Sequence, residues 1–162
     1  QARVAKGMAF VPQTANVFPT MSVEENLEMG AFLRRDDISK TMDEVFELFP
    51  ILKDKRLQNA GELSGGQRQQ VAFGRAMMTK PSIMLLDEPT AGVSPIVMDE
   101  IFSNILDVRN AGMAVLMVEQ NAQQALNIAD KGYVLVSGRN EHTGTGKELI
   151  NNPEVRKKFL GG

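Results

Sequence analysis

Apolar residues fall along this chain in two kinds of pattern, continuous short blocks and stripes at helical spacing. Gly7-Met8-Ala9-Phe10-Val11-Pro12, a short apolar run closed by its proline, reads as a strand. Ile83-Met84-Leu85-Leu86, Met113 to Val118 and Gly132 to Val136 are blocks of strand length and composition, as expected of parallel strands covered on both faces. Between them the period changes. Ser22 and Glu25 have capping-box spacing ahead of a helix expected over 23–34. Met42, Val45, Phe46 and Phe49 mark one face of a second helix that Pro50 ends. Leu63-Ser64-Gly65-Gly66-Gln67 holds another box, opening a largely apolar helix over 67–79 with Pro81 beyond it. Ser94-Pro95 starts a helix with Val97, Ile101, Ile105 and Val108 on one face, running to Gly112. Asn121 can cap a short helix bearing Ala122, Ala125, Leu126 and Ala129, and a short basic helix is expected near Arg156-Lys157-Lys158.

The alternation of strand and helix over 83–136 predicts right-handed crossover units in a parallel sheet layered with helices. The two helices over 23–50 predict a small helical layer beside it. After Val136, Ser137-Gly138-Arg139-Asn140 reads as a turn, and Gly144-Thr145-Gly146-Lys147 as turn plus helix start. The α/β class is set by this pattern alone.

Composition narrows what such a fold could do. The 162 residues suffice for one core. With no Cys and one His, His142, a disulfide scaffold is excluded and a protein zinc site disfavoured. A net charge of −2 gives no basic footprint, so nucleic acid is not an expected partner. No apolar run approaches the ~18 residues of a membrane span. The chain opens at Gln1 without an initiator Met and runs almost directly into a strand, which predicts that it belongs to something longer.

In parallel α/β sheets ligands collect beyond the carboxyl ends of the strands, where Asp87, Glu88, Glu119 and Gln120 lie. Adjacent carboxylates there suit magnesium-dependent phosphate chemistry, one holding the metal or its waters and the other taking a proton from an attacking water. An isolated Asp-Glu pair more often only ends a strand or caps a helix. Side chains alternate along a strand, so Glu119 and Gln120 cannot both face one ligand, and nothing local says which does. The Ser64 turn likewise has two readings, an anion site made of bare glycine amides and a hydroxyl, or an ordinary capped helix.

Co-occurrence shifts the balance. Leu63-Ser64-Gly65-Gly66-Gln67 matches the LSGGQ signature of ABC-type ATPases, and Ile83 to Thr90 resembles their Walker B segment. Val11-Pro12-Gln13 resembles the Q-loop, followed as in that family by Val17 to Leu27. Val118-Glu119-Gln120-Asn121-Ala122, Ala129 to Leu135 and the ending Phe159-Leu160-Gly161-Gly162 resemble the ATPase subunits of branched-chain amino-acid importers. The resemblance spans essentially the whole chain. It implies a partial P-loop NTPase-like ABC ATPase domain, with a Q-loop strand over 1–13, a helical subdomain with the signature helix over 14–80, and half of the α/β core with C-terminal helices over 81–162.

The resemblance also implies roles. Gln13 would reach the magnesium and the attacking water, Asp87 would hold the metal through water, and Glu88 would be the general base. Ser64, Gly65, Gly66 and Gln67 would close over the γ-phosphate of an ATP held by a second, identical or sister ATPase subunit. Gln120 stands where the family usually carries a His, and Ser94 where it usually carries an Asp; Gln120 can donate to a phosphate oxygen but cannot carry a proton charge. The implied partners are transmembrane permease subunits, and the implied location is the inner face of the cell membrane, on the cytoplasmic side.

One motif is missing. No G-x-x-x-x-G-K-[ST] occurs; Gly144-Thr145-Gly146-Lys147 is followed by Glu148 and lies after the last strand. The expectation is an importer ATPase subunit present as a portion lacking its phosphate loop, inactive alone, without tight ATP binding, and self-associating through bared sheet edge and core. A DNA-maintenance ATPase is the alternative disfavoured by the mere 50 residues, Thr14 to Leu63, between Gln13 and Ser64. A non-catalytic partner module is the other alternative.

Overall fold

The computed structural model describes residues 4–14 and 16–160, which form two compact units, 1–118 and 119–162. The first contains β1 (Met8–Val11), α1 (Val23–Gly30), α2 (Ser39–Leu48), α3 (Pro50–Asp54), α4 (Gly65–Met77), β2 (Ile83–Asp87), α5 (Pro95–Asn110) and β3 (Ala114–Val118). The second contains α6 (Ala122–Ile128), β4 (Gly132–Val136), β5 (Arg139–Gly144), α7 (Gly146–Asn151) and α8 (Pro153–Phe159). Gly161 and Gly162, part of the ending singled out above, lie outside the described residues.

In the first unit the three strands form a parallel sheet in the order β1-β2-β3, with Val11 opposite Leu86 and Asp87 opposite Val118. Alternation divides it into two faces. Ala9, Val11, Met84 and Leu86 are buried, while Phe10, Leu116 and Val118 on the opposite face are more than half exposed. The expectation that these blocks are covered on both faces therefore holds for one face only.

The helical layer is built around α4, where Val71, Ala72, Phe73, Gly74 and Ala76 are buried as its apolar pattern predicts. Gly74 admits Leu27 of α1 and Val45 of α2, each 2.8 Å from where a Cβ would stand. Helix α1 stops at Gly30, short of the expected Arg34. There a Cβ would stand 2.1 Å from the Arg75 carbonyl oxygen, so α1 crosses α4 backbone against backbone. Pro50 ends α2, as read, but it also opens α3 as a first-turn proline, because its missing N–H costs nothing there. Both predicted capping boxes form, Ser22 with Glu25 and Ser64 with Gln67.

Arg34 closes the far side of this layer. Its guanidinium donates to the Met78 carbonyl at 2.9 Å, to Thr41 Oγ1 at 3.0 Å and to Asp36 at 2.9 and 2.6 Å. The hydrogen bond from Arg34 is the main cause holding the Asp36 carboxyl well below its usual range, with Lys80, 3.6 Å away, adding to it. A depressed folded-state value means this stability is complete above the unfolded value of about 4 and is lost as pH falls through the lower folded one. Asp36→Asn is thus expected to lower the urea midpoint at pH 7, with the difference from the native chain shrinking below pH ~4. A difference independent of pH would show that the ion pair contributes nothing.

The second unit corrects one expectation. Gly132–Val136 is a strand, but its partner is β5, antiparallel, rather than a parallel neighbour. The predicted turn is shorter than read. Ser137 and Gly138, with φ of 47° and 79°, form a two-residue hairpin turn whose hand matches strand twist, and Arg139 already belongs to β5. Of the turn plus helix start expected over Gly144 to Lys147 only the helix start is found: Gly144 closes β5 opposite Gly132, and Thr145 caps α7 through a third capping box with Glu148, whose carboxyl is held below its usual range by the Thr145 N–H.

Candidate functional site

The carboxyl end of the sheet gathers three of the singled-out residues. Because Val11 lies opposite Leu86, continuing both chains by two residues brings Gln13 beside Glu88. Gln13 Nε2 donates to Glu88 Oε2 at 3.1 Å. Asp87 ends β2 on the exposed face, in line with Ile83 and Leu85. Glu88 turns away from that alternation. Its φ of 43° lies in the left-handed region, which a non-glycine residue adopts at a cost of about 1–3 kcal/mol. Its N–H is meanwhile held by the Val118 carbonyl at 2.8 Å. Regular alternation would point Glu88 to the face opposite Asp87, and the left-handed turn takes its side chain out of that register. Pro89 and Thr90, buried immediately afterwards, anchor the turn.

The Ser64 turn starts α4 in the same unit. Ser64 Oγ accepts from the Gln67 N–H at 3.2 Å, and Gln67 Oε1 from the Ser64 N–H at 3.1 Å. The amides of Gly65 and Gly66, in the first turn, have no acceptor within the helix. The two glycines differ in surroundings: a Cβ at Gly65 would meet nothing within 4 Å, whereas one at Gly66 would stand 2.8 Å from Glu100 Oε2 and 3.4 Å from Val97 of α5. Gly65 leaves open space before the amides, and Gly66 permits the approach of α4 and α5.

Gln120 lies in the second unit and is exposed. The choice between it and Glu119, open in the sequence, has a local answer. Glu119 Oε1 accepts from the Gln120 N–H at 3.0 Å, the Asn121 N–H at 3.2 Å and Asn121 Nδ2 at 3.3 Å, so its carboxylate is spent on starting α6. Asn121 itself makes no side-chain cap to α6, contrary to its expected role, and neither does Ser94 to α5. Among the described residues there is no group of three or more His, Cys, Asp or Glu that could hold a metal ion, and no helix long and apolar enough to cross a membrane.

Sequence reasoning missed the residues that hold the segment after Gln13. Asn26, fully buried, accepts from the Phe18 N–H at 2.7 Å and donates to the carbonyls of Phe18, Met21 and Ser22. Asn16 Nδ2 donates to Gln69 Oε1 of α4 at 2.7 Å, and the Arg75 guanidinium lies 4.9 Å over the Phe18 ring. A polar residue at an inward position of a predicted helix, such as Asn26 beside Val23 and Leu27, was the one available signal.

Comparison with known proteins agrees with this arrangement. A family profile described as "ABC transporter" matches residues 1–91. The high-affinity branched-chain amino acid transport ATP-binding protein BraG of Pseudomonas aeruginosa is 49% identical over 158 residues, 97% of this chain and 68% of that protein. The probable branched-chain amino acid transport ATP-binding protein LivF of Archaeoglobus fulgidus is 40% identical, covering 98% of this chain and 68% of that one. The lipopolysaccharide export system ATP-binding protein LptB of Haemophilus influenzae is 35% identical over 98% of this chain and 67% of its own length. Among solved structures, the ADP conformation of MJ1267, an ATP-binding cassette of an ABC transporter, superposes with a TM-score of 0.85 at 28% identity, covering 99% of this chain and 71% of that one. Ordered motifs, a parallel sheet ending in paired carboxylates, and relatives matched over two thirds of their length place this chain in the ABC transporter ATP-binding family.

Proposed function

We propose that this chain is the hydrolytic portion of an importer's ATP-binding subunit, serving branched-chain amino acids, and that Glu88 is its general base. The Gln13–Glu88 hydrogen bond at the carboxyl end of the parallel sheet, beside exposed Asp87, carries the reading. Donation from Gln13 fixes one carboxylate oxygen of Glu88 and leaves the other to take a proton from water attacking a γ-phosphate. The same bond uses the amide nitrogen of Gln13 and leaves its carbonyl oxygen available.

That oxygen and the Asp87 carboxylate are hard donors of the kind magnesium takes, and their small number fits an ion that keeps waters and substrate phosphates as its other ligands. When bound, magnesium would neutralise charge developing on the transferred phosphoryl group. Asp87 would hold it through water. The open amide turn at Ser64, Gly65, Gly66 and Gln67 suits the γ-phosphate of an ATP on a second ATPase subunit, identical or sister. Gln120, with Glu119 spent locally, is the group that would donate to a phosphate oxygen.

Membrane-spanning permease subunits would hold the protein against the inner face of the membrane. The substrate reading rests on 49% and 40% identity to relatives named for branched-chain amino acid transport. Lipopolysaccharide export is the second reading, favoured by the 35% identical relative. The full-length subunit, assembled with its permease in proteoliposomes, is expected to hydrolyse Mg-ATP faster when leucine and its binding protein are supplied. Stimulation by lipopolysaccharide instead would establish the second reading. In calorimetry the 162 residues alone, with no phosphate-loop motif, are expected to bind Mg-ATP more weakly than micromolar; micromolar binding would sink the role assigned to that loop.

The exposed sheet face with Phe10, Leu116 and Val118 supports self-association of these 162 residues by themselves. Light scattering is expected to report oligomers, and a clean monomer at high concentration would count against this.

A further inference from the structure

A cleft of about 510 Å³ opens at the amino end of the parallel sheet, at the far end of β2 from Asp87 and Glu88. Its volume lies in the range of small-molecule sites. One stripe of α2 lines it, Thr41, Glu44, Val45 and Leu48 at i, i+3, i+4 and i+7, with Glu47 beside them. The rest of the lining is Met77 at the end of α4, Lys80 and Pro81 leading into β2, and Ala111 and Met113 between α5 and β3.

This lining offers three kinds of contact. Val45, Leu48, Met77, Pro81 and Met113 are apolar and buried or half-buried, a surface for an aliphatic body. Glu44 and Glu47, one helical turn apart, supply negative charge, and the last turns of α2 and α4 and the C-cap of α5 add the negative ends of three helix dipoles. Lys80 supplies the opposite charge. These side chains are only loosely engaged. Glu44 meets Lys40 at 3.9 Å and Lys80 meets Asp36 at 3.6 Å, in pairs whose four side chains are all more than half exposed, and no ion pair is described for Glu47. Exposed pairs of this kind contribute little and exchange readily for another partner. A polyphosphate would be repelled by the carboxylates and the helix ends. A simple amine would leave Lys80 unmatched, and a fatty acid would leave the two glutamates unmatched.

We propose that this cleft binds a free α-amino acid with an aliphatic side chain, its ammonium group towards Glu44 and Glu47 and its carboxylate towards Lys80. The cleft shares no residue with the carboxyl end of the sheet, so the inference stands independently of the hydrolytic reading.

The test titrates the full-length subunit, labelled with carbon-13 in its methionine methyl groups, with L-leucine by NMR. The Met77 and Met113 signals are expected to shift together with a Kd on the order of 1 mM, the scale a ligand of this size reaches. Isoamylamine, which lacks the carboxylate, and isovalerate, which lacks the ammonium group, are each expected to bind about tenfold more weakly or worse. Glu47→Gln should weaken leucine roughly fivefold or more and leave isovalerate unchanged, whereas Lys80→Gln should weaken leucine as much and leave isoamylamine unchanged. Both positions are exposed, so melting temperatures within about 2 °C of the native one are expected. Met77 and Met113 signals that stay unmoved by leucine would overturn the proposal. So would isoamylamine or isovalerate binding as tightly as leucine, or leucine binding unchanged in both variants.

Discussion

Glu88→Gln is expected to slow ATP hydrolysis by the assembled subunit about 10²–10⁴-fold, the range for losing a positioned general base, with the melting temperature unchanged. The carboxamide has the shape of the carboxylate, and its oxygen can still accept the hydrogen bond that Gln13 now gives to Glu88 Oε2. It cannot take a proton. The left-handed backbone at position 88 and the N–H bond to Val118 depend on the main chain and survive the change. Single-turnover hydrolysis measured beside nucleotide binding separates the outcomes. Slow chemistry with retained binding supports the assignment, and a loss of less than tenfold would show that another group takes the proton.

The second large effect concerns stability rather than chemistry. Gly30→Ala would place a methyl group 2.1 Å from the Arg75 carbonyl oxygen and 3.0 Å from Arg75 Cγ. Overpacking against side chains typically costs about 1–3 kcal/mol because rotamers can yield. Here the obstacle is the backbone of α4, so the two helices must separate, and a loss of about 3 kcal/mol or more is expected in urea unfolding. Gly65→Ala is the control. It meets nothing within 4 Å, and alanine is the better helix former, so stability should change by less than about 1 kcal/mol. A Gly30→Ala chain as stable as the native one would mean that α1 does not press on α4 at that point. Arg75 also faces Phe18, so parting these helices is expected to loosen the Gln13 segment as well.

Reading the sequence placed nearly every element because its signals are local. Capping at Ser22 and Ser64 needs only residues three apart, and the burial of α4 follows from its own apolar run. The ends of elements were less legible. Helix α1 ends at Gly30, itself a residue that favours helix ends, rather than at Arg34; what only the fold shows is that the carbonyl of Arg75, 45 residues further on, leaves no room for a Cβ there. Strand pairing was the least legible. Gly132–Val136 has the composition of a parallel strand, yet its ladder partner is decided by the Ser137-Gly138 turn, which folds the next residues straight back on it. Arg139 to Gly144, polar and largely exposed, carried no strand signal of its own.

By itself the sequence determined the α/β class, the ordered motifs with their candidate residues Gln13, Ser64 to Gln67, Asp87, Glu88 and Gln120, and the absence of a phosphate-loop motif. These are properties of short neighbourhoods, written in residue type and spacing. Only the tertiary structure decided that Glu88 turns left-handed towards Gln13 while Asp87 stays on the strand's exposed face, and that Asn16 and Phe18 are held by Gln69 and Arg75. Those pairs lie up to 75 residues apart, and sequence spacing carries no information on contacts that a parallel sheet and a helix crossing bring together.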